Sequence, residues 1–169
     1  MRERIIFREI EEADDEKLAM IIRDNLEAYH LDIPGTAYFD ESLDHLSQYY
    51  LGADDRAYFV ALLDGQVVGG VGFQKLDFMK DTAELQKLYL ADCVKGQGIS
   101  YKMMSFIEEN AFSMGFTQMY LETHSNLVAA MHLYENCGYH LIEKPAEVVH
   151  SAMDRFYLKN LLPVVGKLI

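Results

Sequence analysis

The chain has 169 residues, of which 50% are hydrophobic and 25% are charged, and its formal net charge is -12. This composition predicts one globular domain, residues 1–169, and argues against a nucleic-acid partner, since binding a polyanion depends on Lys and Arg displacing its counterions. The sequence contains no run of about 20 apolar residues to cross a bilayer and no apolar signal core, so we expect a cytoplasmic protein that does not bind membranes.

Hydrophobic periodicity predicts the elements of the first half of the chain. Charged and apolar residues alternate at first, as in a strand, and then recur at helical spacing until Pro34 and Gly35. Later, two β-rich runs flank the dipeptide Asp64-Gly65, which is typical of a hairpin turn. The predicted order is a strand at 4–10, helices at 11–30 and 41–51, and hairpin strands at 57–63 and 66–76.

Strands and helices alternate in the second half. The predicted order is a strand at 82–90, a helix at 99–115, a strand at 116–123, a helix at 126–139, and strands at 139–144 and 153–161. A front hairpin followed by a strand-helix-strand crossover implies a mixed sheet. We therefore expect the α/β (mixed α+β) class, with helices packed on the faces of the sheet.

A glycine-rich turn joins the strand at 82–90 to the following helix. Gly96 and Gly98 flank Gln97 in the segment CVKGQG. Without Cβ atoms, successive backbone N-H groups can turn toward a phosphate, and the positive end of the helix dipole adds to the attraction. Lys87, Lys95 and Lys102 lie on or beside the turn, where few carboxylates are expected. Taken alone, the turn is better explained as a tight strand-to-helix connection.

Two other phosphate fingerprints fail on this segment. A P-loop requires Gly-Lys followed by Ser or Thr, and the dinucleotide fingerprint requires a third glycine where this chain has Tyr101. A metal site is not indicated either, because Cys93 and Cys137 do not form a metal-type pair and the histidines lack metal-ligand spacing. The histidines are His30, His45, His124, His132, His140 and His150.

The segment CVKGQG resembles the signature of the GNAT superfamily of N-acetyltransferases. That signature is Gln or Arg, any two residues, Gly, any residue, then Gly or Ala. AELQKLYL is similar to the family's fourth strand, and AAMHLYENCGY is similar to its later Ala-x-x-Leu-Tyr-Glu-x-x-Gly-Phe/Tyr element. The resemblance implies a GNAT-like, centrally splayed sheet with helices on both faces. It also implies transfer of an acetyl group from acetyl-CoA to an amine by direct attack in a ternary complex.

The resemblance further implies how acetyl-CoA is held: the turn binds the pyrophosphate, and the main chain of the fourth strand pairs with the pantetheine amides. Cys93 replaces the signature Gln or Arg, and Ser100 replaces a residue that is often Gly, so recognition is expected through the main chain. The alternative to a CoA contact by Asn126 is that Asn126 or Ser125 is the N-cap of the helix that follows. The expected cofactor-binding residues are Leu88, Tyr89, Leu90, Lys95, Gly96, Gln97, Gly98, Ile99, Ser100 and Asn126.

Two catalytic residues follow from the resemblance. Tyr134 matches the tyrosine that protonates the departing thiolate, a role suited to a phenol of ordinary high pKa, and Glu84 is the candidate base. Both could instead be structural residues of a helix and a strand. Tyr29 and Tyr38, within the segment 29–38, and Glu122 are expected to contact the acceptor, and Glu122 is a second candidate base.

The leading interpretation is an acetyltransferase acting on a small-molecule or amino-acid amine. A protein or peptide N-acetyltransferase and a non-catalytic acyl-CoA-binding module are the alternatives. The apolar tail, residues 162–169, is a candidate contact in a homodimer.

Overall fold

A seven-stranded sheet forms the centre of the fold in the computed structural model, which describes residues 4–149 and 151–163. The strands are β1 (Ile5–Glu9), β2 (Arg56–Leu63), β3 (Gln66–Lys75), β4 (Thr82–Leu90), β5 (Gln118–Thr123), β6 (His140–Ile142) and β7 (Arg155–Asn160). Their order in the sheet is β1-β2-β3-β4-β5-β7-β6, with β4 and β5 parallel and the other pairs of neighbouring strands antiparallel. The predicted mixed sheet is therefore confirmed. Most of the predicted tail, and His150, lie outside the described residues.

The predicted hairpin is the connection between β2 and β3. Leu63 pairs with Gln66, and the two residues between them, Asp64 and Gly65, have φ values of 48 and 83. Positive φ at both central positions is the geometry of a type I′ turn, which matches the twist of the flanking strands.

Four α-helices in the described residues cover both faces of the sheet. They are α1 (Asp15–Ala28), α2 (Leu46–Tyr50), α3 (Ile99–Ser113) and α4 (Val128–Asn136). α1 and α2 bury their apolar residues against β2, whereas α3 and α4 pack on the opposite face against β3, β4 and β5. Helices on both faces are thus confirmed. Within the described ranges, no helix is both long and apolar enough to cross a membrane.

Two helix starts differ from the prediction. The helix expected at 41–51 is a 3₁₀ turn, Leu43–His45, followed by the five-residue α2, because His45 leaves helical geometry with φ -139 and ψ 44. The N-cap expected at Ser125 or Asn126 is wrong, since Leu127 occupies that position. Ser125 instead donates to Asp154 Oδ2 at 2.7 Å, and the Asn126 amide donates to the Tyr29 carbonyl at 3.1 Å.

The sheet opens at its centre, as predicted. β4 and β5 pair only over Thr82–Glu84 and Gln118–Tyr120 in the described register. Beyond these residues the two strands separate, which leaves residues 85–90 with one edge turned toward an opening.

Candidate active site

A cavity of about 270 Å³ lies in the opening between β4 and β5. It extends from the glycine-rich turn to Glu122 on β5, and α1 and α4 contribute to its walls. Six of the predicted cofactor-binding residues line it, namely Leu88, Tyr89, Leu90, Lys95, Gly96 and Ser100. A preformed cleft of this kind, apolar with a few polar groups, is typical of a small-molecule site.

The glycine-rich turn has a backbone that only glycine adopts readily. Gly96 and Gly98 have φ values of 78 and 76, and a Cβ built on either would meet nothing within 4 Å. Gly98 occupies the N-cap position of the 15-residue α3, and the first N-H groups of an α-helix have no partner within the helix. The turn therefore fits an anion such as a pyrophosphate.

The remaining predicted cofactor residues lie outside the cavity lining. The side chain of Ile99 is buried in the core, and that of Gln97 reaches back to the Cys93 carbonyl at 3.5 Å. Gly98 contributes only the main chain of the turn. The Asn126 amide is directed to the Tyr29 carbonyl, at the end of α1.

Two of the three lysines beside the turn, Lys87 and Lys95, are paired with carboxylates, contrary to the expectation from the sequence. Lys95 Nζ lies 2.7 Å from Asp92 Oδ1, and Lys87 Nζ lies 3.1 Å from Asp40 Oδ2. Lys95 Nζ also donates to Asn25 Oδ1 at 2.7 Å. The local positive charge is consequently smaller than the lysine count suggests.

Tyr134 lies on α4 with its side chain in the cavity wall and 7% of its surface exposed. Burial, with a smaller effect from Tyr89, raises the pKa of its phenol above the ordinary value assumed from the sequence. The cause is that a buried phenolate loses hydration. Tyr134 therefore stays protonated at neutral pH and can act as a proton donor.

Glu84 lies half-buried on the sheet face that carries α1 and α2. Its neighbours Ala83 and Leu85 pack in the core on the opposite face, and side chains alternate along a strand. Burial and the nearby charge of Glu122 raise its pKa to about 7, although Lys87 and Gln86 oppose the shift. Glu84 is thus poised to gain or lose a proton at physiological pH.

Glu122, which lines the cavity, is held in place by two hydroxyl groups. Tyr120 Oη donates to Glu122 Oε2 at 2.9 Å, and Ser151 Oγ donates to Glu122 Oε1 at 2.9 Å. Both carboxylate oxygens are therefore engaged. Glu84 lies outside the cavity lining, and its raised pKa makes it the candidate proton acceptor.

Of the two tyrosines expected to contact the acceptor, only one lines the cavity. Tyr29 lines the cavity, whereas Tyr38 donates its hydroxyl to Glu27 and lies outside the lining. At Gly35, an added Cβ would lie 3.3 Å from the Ala152 nitrogen, so this segment closely approaches the loop before β7. In the described part of the chain, no group of three or more His, Cys, Asp or Glu is arranged to hold a metal ion.

Sequence reasoning missed several residues of the site, including Tyr120, Ser151 and Asn25. The Asn25 amide donates to the carbonyl oxygens of Ile21, at 2.8 Å, and Leu90, at 2.9 Å, which ties α1 to the end of β4. Its signal was present, because a polar residue interrupts the apolar face of α1. Tyr120 and Ser151 gave none, since their contacts depend on the pairing of distant segments.

The family model described as "Acetyltransferase (GNAT) family" matches residues 19–139. The Escherichia coli K12 protein named uncharacterized N-acetyltransferase YjgM is 35% identical over 140 residues, which cover 82% of this chain and 83% of that protein. Streptothricin acetyltransferase from Escherichia coli is 25% identical over 145 residues, covering 83% of this chain and 82% of that protein.

Solved structures show the same fold at lower identity. A GNAT-family acetyltransferase from Staphylococcus aureus Mu50 is 20% identical and superposes with a TM-score of 0.81 over 94% of this chain and 100% of its own. PaiA N-acetyltransferase from Thermoplasma acidophilum, solved in complex with coenzyme A, is 19% identical and has a TM-score of 0.70, over 93% of this chain and 99% of its own.

Proposed function

Because the chain belongs to the GNAT family of acetyltransferases and is an acyltransferase enzyme, we propose that it transfers the acetyl group of acetyl-CoA to a primary amine of a small molecule or amino acid. The observation that carries the proposal is the cavity between β4 and β5. It links the glycine-rich turn at one end to Glu122 at the other, with Tyr134 in its wall.

The cavity offers complementary surfaces for the two parts of CoA. The left-handed turn at Gly96 and Gly98, with the start of α3, is suited to the pyrophosphate. The edge of β4 that lacks a β5 partner, residues 85–90, is suited to the pantetheine arm, because an extended chain can add to a free strand edge. When bound there, acetyl-CoA supplies a thioester whose carbonyl carbon accepts the amine.

Glu84 accepts the proton of the incoming ammonium in this proposal. A primary amine is mostly protonated at neutral pH, and only the neutral form attacks a carbonyl carbon. The Glu84 pKa of about 7 makes this carboxylate a stronger base than an ordinary glutamate while leaving a large fraction ionised. Transfer proceeds directly or through one water molecule.

Tyr134 donates the proton that neutralises the departing thiolate. Its phenol remains protonated because burial raises its pKa, and its side chain faces the cavity rather than the core alone. Direct attack needs no covalent enzyme intermediate, so the exposed Cys93 has no role in it.

A small-molecule acceptor is supported by the relative named for streptothricin and by the limited size of the cleft. The test measures free CoA thiol release from acetyl-CoA across a panel of amines, amino acids and peptides. Turnover on small amines supports the proposal, and turnover on peptides alone replaces it with a protein-directed activity. CoA binding without turnover on any acceptor contradicts enzymatic transfer and favours a binding module.

A further inference from the structure

Tyr58 is a fully buried tyrosine on β2 whose hydroxyl reaches across β3 to β4. Its Oη donates to the carbonyl oxygen of Lys87 at 2.8 Å. Tyr58 does not line the cavity, and neither the sequence motifs nor the proposed mechanism assigns it a role. The hydrogen bond ends on the segment of β4 that borders the cavity.

The path of the Tyr58 ring is opened by two glycines of β3. A Cβ on Gly70 would lie 2.5 Å from Tyr58 Cε1, and a Cβ on Gly72 would lie 2.5 Å from Tyr58 Cδ2. Any other residue at these positions would force the ring to move. Glycine weakens a strand, and inside one it often marks a close approach by another group, which here is the Tyr58 ring.

The segment that Tyr58 contacts is irregular. The register between β3 and β4 shifts from Gly70↔Tyr89 to Gly72↔Gln86, and Lys87 adopts a φ of 49. A non-glycine residue with positive φ is uncommon and requires support from its surroundings. As a result, Gln86 and Lys87 both direct their side chains to the side of the sheet that carries α2, where they contact Tyr50 and Asp40.

The orientation of the Lys87–Leu88 peptide follows from this contact. In a trans peptide the C=O and the next N-H point in opposite directions. Because the Lys87 carbonyl points toward Tyr58, the N-H of Leu88 points away from it, and Leu88 itself lines the cavity between β4 and β5.

We propose that Tyr58 is a positioning residue: its hydroxyl holds the Lys87 carbonyl so that the Leu88 N-H is presented to the thioester carbonyl oxygen. The inference rests on the proposed acetyl transfer. Negative charge develops on that oxygen as the amine attacks, and a fixed backbone donor stabilises it without reorganisation. The positive φ of Lys87 and the two glycines together keep this donor in place.

The matched variants are Tyr58→Phe and Tyr139→Phe. Each removes one buried hydroxyl and keeps the ring, but Tyr139 Oη contacts Glu108, away from the cavity. For Tyr58→Phe we expect kcat to fall about tenfold, because the donor is loosened but not removed. KM for acetyl-CoA is expected to change by less than about twofold, since the other CoA contacts remain. Tyr139→Phe keeps the wild-type kcat.

Amide NMR provides a readout that does not depend on turnover. In the wild-type protein, acetyl-CoA is expected to shift the Leu88 amide resonance relative to CoA, because CoA lacks the thioester carbonyl oxygen to which this N-H is proposed to donate. In Tyr58→Phe that difference shrinks, and the Leu88 amide exchanges faster with deuterium in the free protein. Tyr139→Phe retains both wild-type signals.

Wild-type kcat in Tyr58→Phe, or an acetyl-dependent Leu88 shift equal to that of the wild type, overturns the positioning role. Failure of the proposed function is a separate result. It appears as absence of turnover in the wild-type protein, whereas the comparison of acetyl-CoA with CoA at Leu88 still tests Tyr58.

Discussion

Glu84 and Glu122 lie on neighbouring strands, and different surroundings give the two carboxylates different chemistry. Glu122 accepts hydrogen bonds from Tyr120 and Ser151, which engage both of its carboxylate oxygens. Glu84 is half-buried beside this charge, and its pKa rises to about 7. In the proposed function, the proton transfer is therefore assigned to Glu84.

The base assignment predicts the pH dependence of the reaction. Glu84 must be ionised to accept a proton, so kcat/KM for the amine is expected to rise with pH and to level off above about 7. Glu84→Gln is expected to lower kcat by about 100-fold at pH 8 and to remove the inflection near 7. Initial rates from pH 5.5 to 9 measure both effects.

Glu109→Gln is the control for this prediction, because Glu109 is exposed on α3 and the charge change is the same. If Glu122→Gln rather than Glu84→Gln removes the inflection, Glu122 is the base.

The pH dependence of protein stability gives a second check of the raised Glu84 pKa. A folded pKa of about 7 against 4.5 means that Glu84 contributes stability at pH below about 4.5, which is lost as pH rises through 7. Urea unfolding is therefore expected to show Glu84→Gln gaining stability relative to the wild type over this range.

Tyr134 is expected to affect turnover rather than binding. Tyr134→Phe keeps the ring against Tyr139 and removes only the proton donor, so kcat is expected to fall about 100-fold with KM for acetyl-CoA nearly unchanged. Tyr157→Phe is the control, since its hydroxyl contacts Glu135 and its ring also packs near Tyr134. Full turnover in Tyr134→Phe would assign the leaving-group proton to another donor.

At the level of elements, the connection between β4 and α3 combines two left-handed glycines with the proposed pyrophosphate site. Gly98 and Gly52 offer a matched comparison, because both have a φ of 76 and neither has an atom within 4 Å of an added Cβ. Gly52 follows α2, whereas Gly98 belongs to the glycine-rich turn and precedes the first residue of α3. The two positions therefore carry the same conformational cost and differ in their relation to the turn.

Gly98→Ala and Gly52→Ala are each expected to lower the free energy of unfolding by about 1 to 2 kcal/mol, the cost of a left-handed non-glycine residue. Only Gly98→Ala is expected to weaken CoA binding, by about tenfold, because its N-H groups at the start of α3 would be reoriented. Thermal unfolding and calorimetric titration with CoA measure the two effects. Equal CoA affinity in both variants would exclude the turn as the pyrophosphate site.

Elements whose signals are local were predictable from the sequence. The dipeptide Asp64-Gly65 specifies its hairpin turn because both residues adopt positive φ. The turn at Gly96 and Gly98 is recognisable because the sequence patterns on either side of it are those of a strand and a helix. The predicted N-cap at Ser125 failed because Asp154, 29 residues away, captures its side chain. A propensity rule does not include such a distant competitor.

Residues of the candidate site could be predicted where they belong to a contiguous sequence motif. Residues that come together only when three strands pair could not. Leu88 and Tyr134 belong to segments with recognisable local patterns. The contact of Tyr58 with Lys87 depends on the registers of β2 with β3 and of β3 with β4, including a shift opposite Lys87. The glycines of β3 were visible in the sequence, but the group that fills the space above them was not.

For the protein as a whole, the net charge of -12 opposes the approach of CoA, the proposed anionic ligand. Charges on the surface combine at long range, so the protein as a whole repels an approaching polyanion such as CoA. The lysines beside the turn offer limited compensation, because Lys95 is paired with Asp92 and Lys87 with Asp40. In the proposed function, recognition of CoA therefore depends on short-range contacts with the turn and with the edge of β4.

This balance predicts that salt accelerates CoA association. The screening length falls from about 30 Å at 0.01 M to about 8 Å at 0.15 M ionic strength, which weakens the long-range repulsion before it affects contacts within the turn. The association rate constant for CoA, measured by stopped flow, is expected to rise over this range. An uncharged pantetheine analogue is the ligand control and is expected to show no dependence on salt.

Two variants distinguish the effect of a carboxylate beside the turn from the effect of the net charge on the CoA association rate. Asp92→Asn removes a carboxylate 2.7 Å from Lys95, whereas Asp54→Asn removes an exposed one before β2, at the end of the sheet opposite the turn. Both reduce the net charge equally. Asp92→Asn is expected to speed association more, because the released Lys95 charge lies within one screening length of the bound phosphates. A rate that falls with salt in the wild-type protein would show instead that the local lysines dominate the field that CoA meets.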